Sequence, residues 1–319
     1  MRAFQLLSQG EPANLIKCDR PDPASDEIRL KIEACGLNFG DLLMIKGTYQ
    51  ERPDLPFTLG MEPAGVVDAV GEDVTNLKPG DRVAVYHGHG GLAEYGCFPA
   101  ANCNLLPDNM TTTVGAGFLV AYGTSHLALE HRARLKAGET LLVLGAAGGI
   151  GLTAIEIGKR MGATVIACAR GQDKLKIAAS AGADHLIDSD TDDLRDVVKS
   201  LGGADVVYDP VGGDLFKAAL RACNPEARII PLGFASGQVP QIPANILLVK
   251  NIDVIGYYWG GYLKFAPKVL HDSLDTLLEW YAAGQLHPHI SHTLPLEQAN
   301  EALELLRSRK STGKVVVTI

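Results

Sequence analysis

A glycine-rich segment at residues 145–151, GAAGGIG, has the residue types that bind phosphate groups. Its spacing, Ala146-x-Gly148-x-x-Gly151, is that of a dinucleotide fingerprint with Ala in the first Gly position. Gly148 would let the backbone approach a pyrophosphate, and Gly151 would let a helix pack closely on a strand. The free N–H groups from Gly148 to Ile150 would then face the phosphates. The residues expected to contact a dinucleotide here are Ala147, Gly148, Gly149 and Ile150. The alternative is a structural turn in another α/β protein.

Two cations follow the next apolar run, ATVIACA. An NAD-binding protein places an acidic residue about 20 residues after the turn, where it binds the ribose 2′-hydroxyl. Here that position is Ala169, followed by Arg170 and, one helical step later, Lys174. Cations favour a 2′-phosphate, so Arg170 and Lys174 indicate NADPH. The alternative is that both are solvated surface cations.

Strand and helix patterns alternate around these residues, from about residue 138 to 260. Such alternation with short glycine-rich links predicts a doubly wound parallel sheet. The predicted helix that begins near Thr191 has this residue as its cap. The predicted strands are TLLVLG, ATVIACA, DHLID, ADVVYDPVG, ARIIPLGF and NIDVIGYYW, and the predicted helices are IGLTAIEIGKRMG, DKLKIAASAGA, TDDLRDVVKSLGG and DLFKAALRAC.

The chain ends have a different pattern. Short apolar runs such as EIRLKIEAC and DRVAVY, spaced by Gly, Pro and Asp, predict a β-rich domain in the first 120 or so residues. The tail returns to this pattern after two helices and ends in the strand KVVVTI. We therefore predict an α/β protein in which a nucleotide-binding domain, residues 122–260, is inserted into a β-rich domain of residues 1–121 and 261–319.

Composition excludes several classes of protein. The net charge of −8 argues against a nucleic-acid-binding surface. The longest apolar run, residues 141–155, is interrupted by glycines and is shorter than the ~20 residues of a membrane helix, so no membrane insertion is expected. The N-terminal residues lack the apolar core of a signal peptide. The six cysteines form no CxxC pair, which favours a reducing, cytoplasmic location.

Three segments together resemble the zinc-free quinone oxidoreductase (zeta-crystallin-like) branch of the medium-chain dehydrogenase/reductase superfamily. GLNFGDLLMIKGTY is similar to the Asn-containing loop of that branch, and LGMEPAGVVDAVGEDVTNLKPGDRVAV is similar to its GroES-like domain. GETLLVLGAAGGIGLTAIEIGK resembles its nucleotide-binding signature, with Glu156 where Gln is usual. The resemblance extends over essentially the whole chain. It implies a Rossmann domain inserted into a GroES-like domain, and a homodimer formed through the cofactor domain's edge strand.

Zinc-dependent relatives bind catalytic zinc at three positions, which by resemblance are Asn38, Met61 and Val120 in this chain. None of these side chains is a thiolate, imidazole or carboxylate, the groups that zinc prefers. His87 and His89 lie in a glycine-flanked loop, where we expect surface residues rather than a metal site. The expectation is therefore an enzyme without a metal.

Hydride transfer without a Lewis acid requires an acceptor that is already electrophilic, such as a quinone or a conjugated carbonyl compound. Asn38 is the first candidate to bind the acceptor oxygen or the nicotinamide ribose. Asp41 would orient a water or the ribose, or stabilise its loop. Tyr49 would stack on the substrate or donate a proton, or only pack. A substrate-lining cluster is expected in Tyr257, Tyr258 and Trp259, with dimer packing or core filling as alternatives.

By resemblance, further cofactor contacts are expected from Thr124, Ser189, Gly233, Phe234 and Lys314. Ser189 departs from the Tyr that relatives often have at its position. Three functions remain open at this point. They are an NADPH:quinone oxidoreductase, an NADPH-dependent enone, enal or enoyl-thioester reductase on the same scaffold, and an NADPH-binding protein with little turnover.

Overall fold

The computed structural model describes residues 1–319 and divides into two compact units. The first unit comprises residues 1–120 and 274–319, and the second comprises residues 121–273. The predicted first boundary lies beside the observed one, whereas the predicted second boundary, between residues 260 and 261, falls earlier in the chain. Segment 261–273 belongs to the second unit because Tyr262 packs against Tyr257 and Ser273 hydrogen-bonds with His126.

The chain forms sixteen strands and eleven α-helices. In chain order, the strands are β1 (Arg2–Leu6), β2 (Asn14–Lys17), β3 (Glu27–Gly36), β4 (Phe57–Thr58), β5 (Glu62–Val70), β6 (Arg82–Val85), β7 (Tyr95–Pro99), β8 (Cys103–Leu105), β9 (Thr140–Leu144), β10 (Thr164–Ala169), β11 (His185–Asp188), β12 (Ala204–Asp209), β13 (Cys223–Pro231), β14 (Asp253–Val254), β15 (Ile290–Pro295) and β16 (Lys314–Thr318). The helices are α1 (Phe39–Lys46), α2 (Thr112–Ala116), α3 (Leu119–His126), α4 (Gly149–Arg160), α5 (Gln172–Ser180), α6 (Leu194–Ser200), α7 (Gly213–Ala222), α8 (Ala244–Lys250), α9 (Tyr262–Phe265), α10 (Pro267–Ala282) and α11 (Ala299–Arg307).

The first unit is built on a seven-stranded sheet. Its order is β15-β16-β3-β5-β6-β8, with β7 also paired to β3, and a smaller sheet has the order β2-β1-β4. In β3 the buried residues Ile28, Leu30 and Ile32 alternate with polar neighbours, the period expected of a strand with one face on the core. The C-terminal strand β16 pairs with β3 and so joins the two ends of the chain.

The second unit confirms the predicted doubly wound fold. Its six parallel strands have the order β11-β10-β9-β12-β13-β14, and α4 to α7 connect successive strands from β9 to β13. Residues 141–144 of β9 are completely buried, as expected of a central parallel strand covered on both faces. Successive strands are added on one side of β9 as far as β11 and then on its other side from β12 onward, so the strand order reverses between β9 and β12, where such folds bind their ligands.

Two predicted details of the second unit are wrong. Helix α6 is capped by Asp193, whose carboxylate accepts the N–H of Asp196 at 2.9 Å, and not by Thr191. The last strand, β14, ends at Val254, so the aromatic residues predicted at its end lie beyond it.

None of the helices combines the length and the apolar character that a membrane span requires.

Candidate active site

The glycine turn joins β9 to α4 as the sequence predicts. Gly145 has a φ of +60°, and Gly148 is the extended residue that precedes the helix. A Cβ atom on Gly151 would lie 2.4 Å from the carbonyl oxygen of Gly145. Only glycine therefore allows the first turn of α4 to approach the end of β9 this closely.

The N–H groups of the turn do not all face outward. Gly148 N donates to Gly145 O at 3.0 Å, so the prediction that this N–H faces a phosphate is wrong. Gly149 and Ile150 occupy the first helical positions, where N–H groups have no acceptor within the helix. Ala147 is buried. The donors that fit a phosphate are therefore those of Gly149 and Ile150, at the positive end of the α4 dipole.

A buried hydroxyl network supports this helix start, and no pattern in the sequence indicates it. Ser125 Oγ donates to Ile150 O at 3.0 Å and hydrogen-bonds with Thr153 Oγ1 at 2.7 Å and Tyr208 Oη at 2.8 Å. The network links α3, α4 and β12. It fixes the N-terminal turn of α4, and with it the donors of the glycine turn.

The residue before Ser125, Thr124, is also held in place. Tyr257 Oη donates to Thr124 O at 3.1 Å. Tyr257 and Tyr258 line a cavity of about 400 Å³ together with Arg132, Tyr262 and others. Trp259 does not line this cavity. Its side chain is buried against Gly123, so it fills the interior of the second unit instead.

The predicted 2′-phosphate cation lies on the surface of the second unit. Arg170 follows β10 directly, and its Nε is 3.0 Å from Asp190 Oδ1. Lys174 is half-buried in α5. Neighbouring Asp188 accepts the N–H groups of Gly171 at 2.9 Å and Asp190 at 3.2 Å. These bonds lower the pKa of the Asp188 carboxyl below its ordinary value.

The other predicted cofactor residues of this unit lie at the same edge of the sheet. Ser189 follows β11, and its N–H donates to Ala169 O at 3.0 Å. Gly233 and Phe234 follow β13 in a loop whose Ala235 N–H donates to Pro210 O at 3.1 Å, just after β12. Because parallel strands share their carboxyl edge, the structure brings the glycine turn, Arg170 and these two loops to one side of the sheet.

The first unit holds the second cluster of predicted residues. The segment expected to be a loop forms helix α1, with Asn38 as its N-cap. Asp41 makes this helix start possible, since its completely buried carboxylate accepts the N–H groups of Asn38 at 2.8 Å and Gly60 at 3.2 Å. These bonds to backbone N–H groups support the alternative in which Asp41 stabilises its own segment, here the start of α1. Burial raises the pKa of its carboxyl to about 7.

Glu62 is the centre of this cluster, and sequence reasoning did not assign it a role. Its Oε1 accepts from Asn38 Nδ2 at 3.1 Å and from the ammonium of Lys314, and its Oε2 accepts the Val120 N–H at 3.0 Å. Lys314 Nζ also donates to Leu37 O at 2.9 Å and to Asn38 Oδ1 at 2.8 Å. Burial raises the pKa of the Glu62 carboxyl, and the Lys314 ammonium opposes that rise.

Lys314 therefore directs all three of its N–H donors to the protein, and its cofactor contact stays a prediction from the resemblance. The same bonds bring together the three positions at which relatives bind zinc. Asn38 and Val120 both donate to Glu62, and Met61 is the buried residue before it. No group of three or more His, Cys, Asp or Glu side chains in the chain has an arrangement that could hold a metal ion.

Two further predicted residues lie near this cluster. Tyr49 is half-buried, and its Cε2 would be 3.3 Å from a Cβ atom on Gly40. A Cβ there would also meet the sulfur of Met61 at 2.7 Å, so Tyr49 and Met61 both pack over the start of α1. The rings of His87 and His89 are 5.2 Å apart, and burial lowers the pKa of both imidazoles. Partly buried rings replace the surface histidines that we expected.

Comparisons with known proteins agree with this architecture. Residues 24–124 match the alcohol dehydrogenase GroES-like domain, and residues 149–280 match the family described as zinc-binding dehydrogenase. A quinone oxidoreductase-like protein 2 homolog of Nematostella vectensis is 42% identical over 92% of this chain and 82% of its own length. The similarity to such proteins covers both units.

Solved structures give the same result. The Escherichia coli quinone oxidoreductase complexed with NADPH has a TM-score of 0.91 at 28% identity and covers 100% of this chain and 99% of its own. The Thermus thermophilus quinone oxidoreductase, also solved with NADPH, has a TM-score of 0.89 at 31% identity over 100% of both chains. The chain therefore belongs to the quinone oxidoreductase branch of the medium-chain dehydrogenase/reductase superfamily and is an oxidoreductase of that family.

Proposed function

We propose that this protein is an NADPH-dependent oxidoreductase that reduces a quinone without a metal. The observation that carries the proposal is the position of the Lys314 ammonium, which bonds to Asn38 and Glu62 where zinc-dependent relatives would hold their metal. The cluster thus contains a cation of its own. Because its carboxylate and amide are already bonded within the protein, we propose that it binds no zinc.

NADPH would be held by the second unit. The N–H groups of Gly149 and Ile150 fit a pyrophosphate, and Arg170 fits a 2′-phosphate. The loops that contain Ser189 and Gly233 would contact the rest of the molecule. When bound, NADPH supplies the hydride, and the protein supplies its position and a site from which water is excluded.

A site that holds no Lewis acid, as we propose, limits the class of acceptor that can be reduced there. A quinone spreads the incoming charge over its π system and needs only positioning and hydrogen bonds. The relatives whose names include quinone oxidoreductase support this class. We propose that Asn38 and Tyr49 contact the acceptor. An enone, enal or enoyl-thioester reductase remains the second candidate because such acceptors have the same electronic property.

The decisive experiment follows the absorbance of reduced nicotinamide across quinones, enones, enals and enoyl thioesters. We expect turnover with NADPH that is fastest with quinones and unaffected by a chelator, and a purified protein without stoichiometric zinc. Asn38→Ala should lower turnover, whereas Asn14→Ala, at an exposed strand residue, should not. NADPH binding without turnover on any acceptor would favour the binding protein, and stoichiometric zinc would refute the metal-free proposal.

We also propose a homodimer that forms through the β14 edge of the sheet. Next to this edge, α8 has no buried residue, and its Leu248 and Val249 are 77% and 76% exposed. Leu248→Lys should produce monomers in analytical ultracentrifugation, and Leu105→Lys, at an exposed leucine of the first unit, should not.

We also propose a reducing, cytoplasmic location. The six cysteines are all free thiols, which supports this proposal.

A further inference from the structure

The cation proposed to bind the 2′-phosphate already has an anionic partner from the protein. Arg170 Nε and Asp190 Oδ1 are 3.0 Å apart, and their side chains are 68% and 52% exposed. Arg170 follows β10, and Asp190 lies just beyond β11, the adjacent parallel strand. A ligand phosphate that approaches Arg170 therefore meets a carboxylate beside it.

The backbone holds Asp190 in this place independently of the ion pair. Asp188, whose side chain is buried, accepts the N–H of Asp190 and the N–H of Gly171, the residue that follows Arg170. Asp188 N in turn donates to Asp192 Oδ2 at 2.8 Å. One buried carboxylate thus fixes both segments. Its Oδ1 accepts both backbone donors and its Oδ2 accepts Gln172 Nε2 at 3.4 Å, so the carboxylate that pairs with Arg170 is that of Asp190.

We propose that Asp190 is a specificity-determining residue that limits the affinity for the 2′-phosphate and so weakens the preference for NADPH over NADH. This inference rests on the proposed function, since it requires NADPH to bind at Arg170. A phosphomonoester has a charge of about −1.5 to −2 at neutral pH. It must compete with Asp190 for the guanidinium, and it is repelled by the carboxylate. NADH lacks this group and encounters neither effect.

The test is a binding measurement that needs no turnover. Asp190→Asn keeps the shape of the side chain and removes its charge. We expect the affinity for NADPH and for adenosine 2′,5′-bisphosphate to rise about three- to tenfold, with NADH unchanged within about twofold. The gain should shrink as salt is added, because both charges are exposed. Isothermal titration calorimetry gives each Kd.

The matched control is Asp196→Asn on α6. Asp196 is also exposed and paired with an arginine, Arg195, at 2.9 Å, so this change removes the same charge from a similar pair. The inference is overturned if Asp190→Asn leaves NADPH affinity unchanged or lowers it, or if Asp196→Asn raises it equally. A wild-type protein that binds neither NADPH nor the bisphosphate would overturn the proposed function as well, so the two failures are distinguishable.

Discussion

Lys314 and Glu62 form an ion pair that is almost completely removed from solvent, with 8% and 1% of the side chains exposed. Each donor of the ammonium has an acceptor, and both oxygens of the carboxylate are hydrogen-bonded. A buried charge is tolerated only when it is paired and hydrogen-bonded in this way, and removing one partner is strongly destabilising. The pair therefore holds the cluster of Asn38, Glu62 and Lys314 together, and we expect the loss of either partner to destabilise the protein.

Removing the lysine should leave Glu62 as an unpaired buried charge. We expect Lys314→Met to lower the free energy of unfolding by about 3–5 kcal/mol at neutral pH. Adding Glu62→Gln should recover part of this loss, because it removes the unpaired charge. Urea unfolding of the single and double variants measures the effect, with Lys310→Met, at an exposed residue, as control. A loss below about 1 kcal/mol for Lys314→Met would contradict the buried pair.

Asp41 should make stability depend on pH. Its pKa is raised to about 7 in the folded protein, above the ordinary value of 3.8. The folded state thus holds a proton that the unfolded chain releases, and the contribution of Asp41 to stability decreases as the pH rises from about 4 to 7. The unfolding free energy of the wild type minus that of Asp41→Asn should fall across this window in urea titrations. A difference that is flat or rises with pH would show that the carboxyl is ionised throughout.

Gly151 should tolerate no side chain. A Cβ atom would meet the backbone of Gly145 and Ala146 at 2.4 and 2.8 Å, so Gly151→Ala must displace α4 from β9. We expect weaker NADPH binding by calorimetry and a lower midpoint of thermal unfolding. Gly256→Ala is the matched control, since a Cβ there meets nothing within 4 Å. Equal behaviour of the two variants would refute the close approach.

Charge reversal at Arg170 should shift cofactor preference. Arg170→Asp replaces the cation that fits the 2′-phosphate with an anion, so NADPH should bind at least about tenfold more weakly while NADH is little changed. The ratio of the two dissociation constants is the measurement. Arg195→Asp, at an exposed arginine of α6, provides the same change of charge elsewhere. Unaltered selectivity in Arg170→Asp would place the phosphate at another cation.

Glu156, which stands where relatives usually have Gln, should contribute to stability through Tyr122. Tyr122 Oη donates to Glu156 Oε2 at 2.5 Å, a charge-assisted hydrogen bond. Glu156→Gln should lower the free energy of unfolding by about 1 kcal/mol, because the bond becomes neutral. The same change made in a Tyr122→Phe background should have a smaller effect. Equal effects in both backgrounds would show that the two side chains do not interact.

The sequence predicts most reliably those features that depend on neighbours in the chain. The doubly wound sheet and the role of Gly151 follow from local periodicity and from a spacing of a few residues, and the structure agrees with both. The helix at Phe39–Lys46 is also locally encoded, since Asp41 stands three residues after the capping Asn38. We predicted a loop there because the segment is similar to the Asn-containing loop of relatives, although the capping pattern indicates a helix.

Other features depend on contacts between distant parts of the chain. Asp190 faces Arg170 because β10 and β11 are adjacent, and that adjacency is a property of the sheet rather than of either segment. Lys314 reaches Asn38 across 276 residues of sequence. The donors of the glycine turn could not be assigned from type alone, since the bond from Gly148 to Gly145 depends on the exact path of the backbone.

The pairing of β16 with β3 also has a consequence for synthesis on the ribosome. Domains generally fold as they emerge, so residues 121–273 are complete while the strand that begins with Lys314 is still to be translated. Until it arrives, β3 has a free edge at Ala34, Cys35 and Gly36, and Glu62 lacks its cation. A nascent chain can thus have its second unit in place while the cluster of Asn38, Glu62 and Lys314 is unfinished. Strand β16, which is made after the second unit, completes that cluster.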